Sequence, residues 1–136
     1  MKKTLNIGGK LLDLSTPQVM GILNVTPDSF YSGSRVLQVE DAYMKAERMI
    51  SEGASILDLG GHSTRPGADA VSEEEELKRV LPIVELIQKH FPNAIISIDT
   101  FRSTVARQAV AAGAHIVNDI AGGNLDPLMF ETVAAL

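Results

Sequence analysis

Ala94–Asp99 reads AIISID, a short apolar run that ends on a carboxylate. The pattern recurs along the chain. Val19–Asn24 is VMGILN, Ala54–Asp58 is ASILD and Ala114–Asp119 is AHIVND, with Asn24, Asp58 and Asn118 as the polar residues near their ends. Continuous apolar runs of this length suit strands buried on both faces, as in a parallel sheet. Helical signals fill each gap. Val39, Ala42, Tyr43, Ala46, Met49 and Ile50 keep helical spacing, and Gly53 follows as a stop. Ser72 with Glu75 forms a capping box, and Leu77, Val80, Leu81, Val84 and Ile87 form the expected buried stripe behind it. Pro82 is expected to kink that helix, because it has no amide donor. Val105, Ala109 and Ala112 mark a third helix stopped by Gly113, and Asp126-Pro127 reads as the start of a fourth.

Strand followed by helix, four times, predicts an α/β chain with a parallel sheet. A faint repeat supports the unit: Gly53-Ala54 leads to Ile56 and Asp58, and Gly113-Ala114 leads to Ile116 and Asn118, 60 residues later. Ahead of the first unit, Thr4 to Leu14 alternates around Gly8-Gly9, which predicts a hairpin within residues 1–15. The four β/α units then occupy 18–136. No linker or low-complexity stretch divides the 136 residues, so a single domain is expected.

Composition removes several function classes. The chain is 45% hydrophobic and 21% charged, enough apolar material for a packed core. Its 17 acidic and 12 basic residues leave a net charge of −5, which argues against a binder of nucleic-acid backbones. There is no cysteine, hence no disulfide, thiolate metal site or cysteine nucleophile. No apolar run reaches the ~18 residues of a membrane span, and Lys2-Lys3 is not followed by a signal-type apolar segment. A cytoplasmic protein without membrane partners is expected.

The chemistry is expected at the carboxyl ends of the strands, where parallel α/β sheets bind ligands. A lone strand-end Asn or Asp is more often a turn or helix cap than a ligand contact. Four on neighbouring strands make that reading less economical, and together they offer the paired donors and acceptors that a flat, nitrogen-rich heterocycle requires. The loops after the first two strands, Thr26–Arg35 and Gly60–Gly67, carry hydroxyls, glycines and an arginine each, as anion binding would need. Neither has the glycine spacing of a Walker or dinucleotide motif. His62, His90 and His115 lack metal-like spacing, and Glu73–Glu76 reads as a solvated helix start.

Four longer strings are more specific. GILNVTPDSF at Gly21–Phe30, the DLGG and STRPGA segments within Asp58–Ala68, SIDT at Ser97–Thr100 and GAHIVNDI at Gly113–Ile120 closely resemble dihydropteroate synthase of bacterial folate biosynthesis. The resemblance runs from the hairpin to Leu136. It implies a (β/α)8 TIM barrel, of which this chain would be the amino-terminal half: four parallel strands with helices, preceded by a short β-hairpin. It also implies condensation of hydroxymethyl-dihydropterin diphosphate with p-aminobenzoate to dihydropteroate and diphosphate, the reaction that sulfonamides target. By position, Asn24 resembles the family asparagine that meets Mg2+ and the diphosphate. Thr64 and Arg65 match the second-loop residues near the diphosphate and the p-aminobenzoate entry. Asp99 and Asn118 match pterin-binding residues, and Asp58 a strand-end carboxylate beside them. Asn24 and Arg65 would be the catalytic pair.

Two positions depart from the family pattern: His62 stands where many relatives have Glu, and Ser32 where they have Asp. A barrel of this kind needs about 250 residues, so further pterin and diphosphate residues would lie beyond Leu136, and the 136-residue polypeptide is expected to be inactive alone. Its open sheet edges favour homo-oligomers. Two other readings are a non-catalytic pterin-binding module, like that of methyltetrahydrofolate-dependent methyltransferases, and a structural half-barrel that only self-associates.

Overall fold

The computed structural model describes residues 3–25, 35–62 and 70–136. Strands β1 (Thr4–Ile7) and β2 (Lys10–Asp13) form an antiparallel hairpin. Gly8 and Gly9 turn it with φ of 54° and 86°, a pair of positive angles that the preferred two-residue hairpin turn requires. Then follow β3 (Met20–Asn24), α1 (Arg35–Ser51), β4 (Ile56–Gly60), α2 (Glu73–His90), β5 (Ile95–Asp99), α3 (Ser103–Ala112), β6 (Ile116–Asn118) and α4 (Met129–Ala135). The four later strands form one parallel sheet in the order β3-β4-β5-β6. The predicted succession of four β/α units, half of a (β/α)8 barrel, is the observed one.

Strand alternation divides the sheet into two faces. Leu23, Leu57, Leu59, Ile96 and Ile98 point to the helical layer and are at most 1% exposed. There they meet Ala42 and Ala46 of α1, Val80, Ile83, Val84 and Ile87 of α2, and Val105 and Ala109 of α3. The small alanines let α1 and α3 approach the sheet closely. The other face is the concave, inward one. It carries Met20, Ile22 and Asn24; Ile56 and Asp58; Ser97 and Asp99; Ile116 and Asn118.

The helices differ from expectation in two places. The fully buried stripe of α2 is Glu76, Val80, Ile83, Val84 and Ile87, while Leu77 and Leu81 are half-buried against the core. Val80, Val84 and Ile87 are thus buried as expected, and the stripe also takes in Ile83 and a charged residue. α2 continues through Pro82, which sits exposed. Finally, Asp126 does not open α4 directly. One carboxylate oxygen accepts from Leu128 N at 2.9 Å, the other from Ser103 N at 2.7 Å, so Asp126 ties the start of α3 to the approach to α4.

The hairpin lies at the amino-terminal end of the sheet. Lys10 Nζ donates to Pro92 O at 3.2 Å, and Ile7, Lys10, Leu12, Ser55, Ile95 and His115 line a hollow there. His115 Nδ1 accepts from Ile96 N at 3.1 Å, and burial, then Lys10, holds its pKa below the usual imidazole value. His115 therefore serves the framework.

Candidate functional site

The strand register decides the geometry of the site. Asn24 pairs with Gly60, Gly60 with Asp99, and Asp99 with Asn118, so one layer crosses the carboxyl ends of all four strands. Asp58 lies one layer lower, in register with Ile22 on one side and Ser97 on the other. The sequence reading of a strand ending at Asp58 is corrected here: β4 continues to Gly60. The absence of a side chain at Gly60 leaves a gap between its neighbours. A Cβ there would sit 3.5 Å from Asn24 Oδ1 and 3.6 Å from Asp99 Oδ2.

Asn118 Nδ2 donates to Asp58 Oδ2 at 3.1 Å. The other oxygen, Asp58 Oδ1, and the nearby Ser97 Oγ are buried and have no hydrogen-bond partner among the described residues. Buried polar atoms are nearly always satisfied, so this carboxylate oxygen and this hydroxyl, which can donate or accept, stand out beneath the Asp99–Asn118 layer. Asp99 itself is half-buried. Burial, and next the charge of Asp58, pushes its carboxyl above the ordinary aspartate pKa. His62 opposes that shift, while Glu76 and Asp119 add to it. Asn24 is exposed at the edge of the row.

Beside this row stands a charged cluster that the sequence reading did not foresee. Glu76, in the first turn of α2, is 0% exposed. Its Oε2 accepts from Arg102 Nη1, and its Oε1 faces His62 Nδ1 at 3.6 Å, too far for a hydrogen bond but close enough for an ion pair. Arg102 also donates through Nη2 to Val71 O at 2.6 Å and lies 4.6 Å over the Phe101 ring. His62 packs edge-on against the same ring, with centroids 5.2 Å apart. Burial alone would push Glu76 upward in pKa. Its contacts with His62, Thr100 and Arg102 outweigh that and hold it below the usual glutamate value. His62 is correspondingly raised, chiefly by Glu76. The chain is drawn tightly onto α2 here, since a Cβ at Gly61 would fall 2.8 Å from Val80 Cγ1 and 3.1 Å from Glu76 Cγ. Glu76 was legible in principle: it shares one helical stripe with Val80, Ile83, Val84 and Ile87.

Of the predicted site residues, Asn24, Asp58, Asp99 and Asn118 are brought together. Thr64, Arg65 and Ser32 lie outside the described residues, as does most of the two loops that carry them. No group of three or more His, Asp or Glu side chains able to hold a metal occurs among the described residues.

The four strands thus gather amides and carboxylates on one face of an α/β scaffold, at the carboxyl ends of a parallel sheet. The chain belongs to the family of pterin-binding enzymes, whose family model matches residues 20–136. It is 52% identical over 116 residues to the dihydropteroate synthase of Bacillus subtilis, covering 85% of this chain and 40% of that protein. With the Escherichia coli K12 dihydropteroate synthase it shares 55% over 112 residues, 82% of this chain and 39% of the relative. The solved Xanthomonas albilineans dihydropteroate synthase with 4-aminobenzoic acid superposes with a TM-score of 0.91 at 45% identity. That match covers 99% of this chain and 49% of the solved one. The chain thus spans less than half the length of these curated relatives and about half of the solved structure.

Proposed function

We propose that residues 1–136 form one domain that is the amino-terminal half of a dihydropteroate synthase. The reaction would join hydroxymethyl-dihydropterin diphosphate to p-aminobenzoate and release diphosphate. The observation that carries this reading is the aligned layer Asn24–Gly60–Asp99–Asn118 above the unpartnered Asp58 Oδ1 and Ser97 Oγ. The Asp99 carboxylate can accept from a ring nitrogen and an exocyclic amine of a pterin together, a bidentate pattern that fixes the ring plane. Asn118 offers its amide on the adjacent strand. It is held by Asp58, which leaves its carbonyl oxygen free to accept. Gly60 leaves room for a flat ring to approach the backbone between Asn24 and Asp99.

In this reading Asn24 stands at the diphosphate end, with Thr64 and Arg65 contributing a hydroxyl and a cation to the leaving group. Arg65 would offset charge that grows on the departing diphosphate. Departure of diphosphate leaves a pterin-stabilised cation, which the aromatic amine attacks, and exclusion of water protects it. The described donors fit a magnesium ion only in the manner usual for that ion: one hard protein oxygen, Asn24 Oδ1, with the remaining positions left to water and phosphate. When bound, it would neutralise leaving-group charge. A cytoplasmic enzyme that associates with copies of itself completes the reading. In the described residues no helix is long and apolar enough to cross a membrane.

The test is calorimetric titration of a pterin lacking the diphosphate into wild type, Asp99→Asn and Asn24→Ala. Weak binding that Asp99→Asn removes and Asn24→Ala spares is expected. Binding abolished by Asn24→Ala but untouched by Asp99→Asn would overturn the division of the site. No dependence on either residue would favour a half-barrel without a ligand.

A further inference from the structure

We propose that Glu76 is a positioning residue that turns His62 Nδ1 towards its carboxylate and favours the doubly protonated imidazole near Asp99, whose register partner Gly60 lies two residues before His62. The inference rests on the reading of Asp99 as the pterin-facing carboxylate. Its geometry stands independently of that reading. His62 Nδ1 faces Glu76 Oε1 at 3.6 Å, an ion-pair distance, and a carboxylate oxygen can only accept, so this placement favours a hydrogen on Nδ1. Both facing atoms are buried and neither has a hydrogen-bond partner among the described residues. Glu76 cannot turn away, because it is 0% exposed and its second oxygen is engaged by Arg102. Arg102 is fixed in turn by Val71 O and by the Phe101 ring, the ring that also packs on His62.

Among the described residues, charges reach the imidazole from α2, from β5 and from the segment before α3. α2 supplies Glu76. It also brings Arg79, whose guanidinium is taken by Glu75 and by Gly61 O. The segment before α3 supplies Arg102, which disfavours a charged His62, and β5 supplies Asp99, which favours it. Asp99 meanwhile feels three anions, Asp58 from β4, Glu76 from α2 and Asp119 after β6, with His62 as the counterweight. The consequence for recognition is direct. Asp99 accepts two hydrogen bonds only while ionised, and burial among anions works against that state. His62 restores the balance, and Glu76 keeps His62 charged and correctly turned.

The experiment is nuclear magnetic resonance titration of the imidazole nitrogens and aspartate carboxyl carbons in the 136-residue chain. Wild type, Glu76→Gln and His62→Asn are compared. Glu76→Gln keeps the shape and removes the charge. In wild type His62 is expected to titrate above the ordinary imidazole value, with a proton on Nδ1. In Glu76→Gln the His62 midpoint should fall and the Asp99 midpoint rise. Should Glu76→Gln fail to fold, His62→Asn still raises the Asp99 midpoint. Unchanged Asp99 titration in a folded His62→Asn variant overturns the inference, as does a His62 midpoint unmoved in folded Glu76→Gln. If these shifts appear but pterin titration shows no dependence on Asp99, the pterin reading fails while the positioning role stands.

Discussion

The amide of Asn118 reaches across β5 to donate to Asp58 Oδ2 at 3.1 Å, linking two strands that are not neighbours. Strands two places apart lie roughly 9.6 Å from each other in a sheet. The bond forms because both side chains rise from the concave face and because Ser97, between them, is small. The pair is also the 60-residue repeat of the sequence, Asp58 in one unit and Asn118 in the other. The repeat partners close the curve of the sheet upon each other.

Removing that amide should be costly. Asn118→Ala leaves a 5%-exposed carboxylate with neither oxygen hydrogen-bonded by another described residue. A loss of about 1–3 kcal/mol in urea denaturation is expected, as for an unsatisfied buried acceptor. Asp58→Ala combined with Asn118→Ala should cost less than the sum of the two single changes. Strict additivity would mean that the two residues do not interact.

Gly60→Ala separates stability from binding. The added methyl meets Asn24 Oδ1 and Asp99 Oδ2 at ordinary contact distance, so the denaturation midpoint should stay close to wild type. It nevertheless fills the gap between them. Pterin affinity should fall by about tenfold, ~1.4 kcal/mol. An unchanged affinity would show that the ligand does not lie over Gly60.

Acidification should act on two aspartates in opposite senses. Asp99 has a folded pKa raised above its unfolded value, by burial first and then Asp58, so its charge destabilises the fold and protonation relieves this. Pterin affinity is expected to drop as pH falls through that raised pKa, before the fold is lost. Asp126 is the reverse case: hydrogen bonds from Ser103, then Leu128, lower its pKa. Its stabilisation is present above the unfolded aspartate value and disappears as pH falls through the lower folded one. Asp126→Asn should therefore flatten the acid limb of the stability–pH curve, which chemical denaturation at stepped pH can measure.

The inner face predicts association. Ile22 is 64% exposed and Met20 41%, both on β3, whose outer edge pairs with no described strand. Light scattering at micromolar concentration should find dimers or larger species, and Ile22→Asp should shift them towards monomer. A monodisperse wild-type monomer would contradict this.

The strands and the convergence of the four strand-end residues were legible because both depend on short-range pattern. A run such as AIISID is too short for a typical helix and suits a buried strand, and its closing polar residue then falls at the strand end. Asp58 was harder, because the apolar run continues past it as Leu59 and Gly60, and only the register reveals the lower layer. The burial of Glu76 was missed for a related reason. Glu76 looks like one of four equivalent acids in Glu73–Glu76, and its partner Arg102 lies 26 residues away. Similarly, Asp126 was read as a local cap, while one of its oxygens serves Ser103 on another helix. Sequence spacing carries local geometry well. It carries a partner chosen by tertiary packing only when the residue also sits on an apolar stripe.

The alternation along β4 and β5 separates two kinds of selection. Leu57, Leu59, Ile96 and Ile98 answer to the helices; Asp58, Ser97 and Asp99 answer to whatever occupies the concave side. Substitutions at the first parity are filtered by expression and solubility; those at the second, apart from the stabilising Asp58–Asn118 pair, are filtered by what occupies the concave side. A saturation library read along Ile95–Asp99 should oscillate between these two phenotypes with a period of two residues.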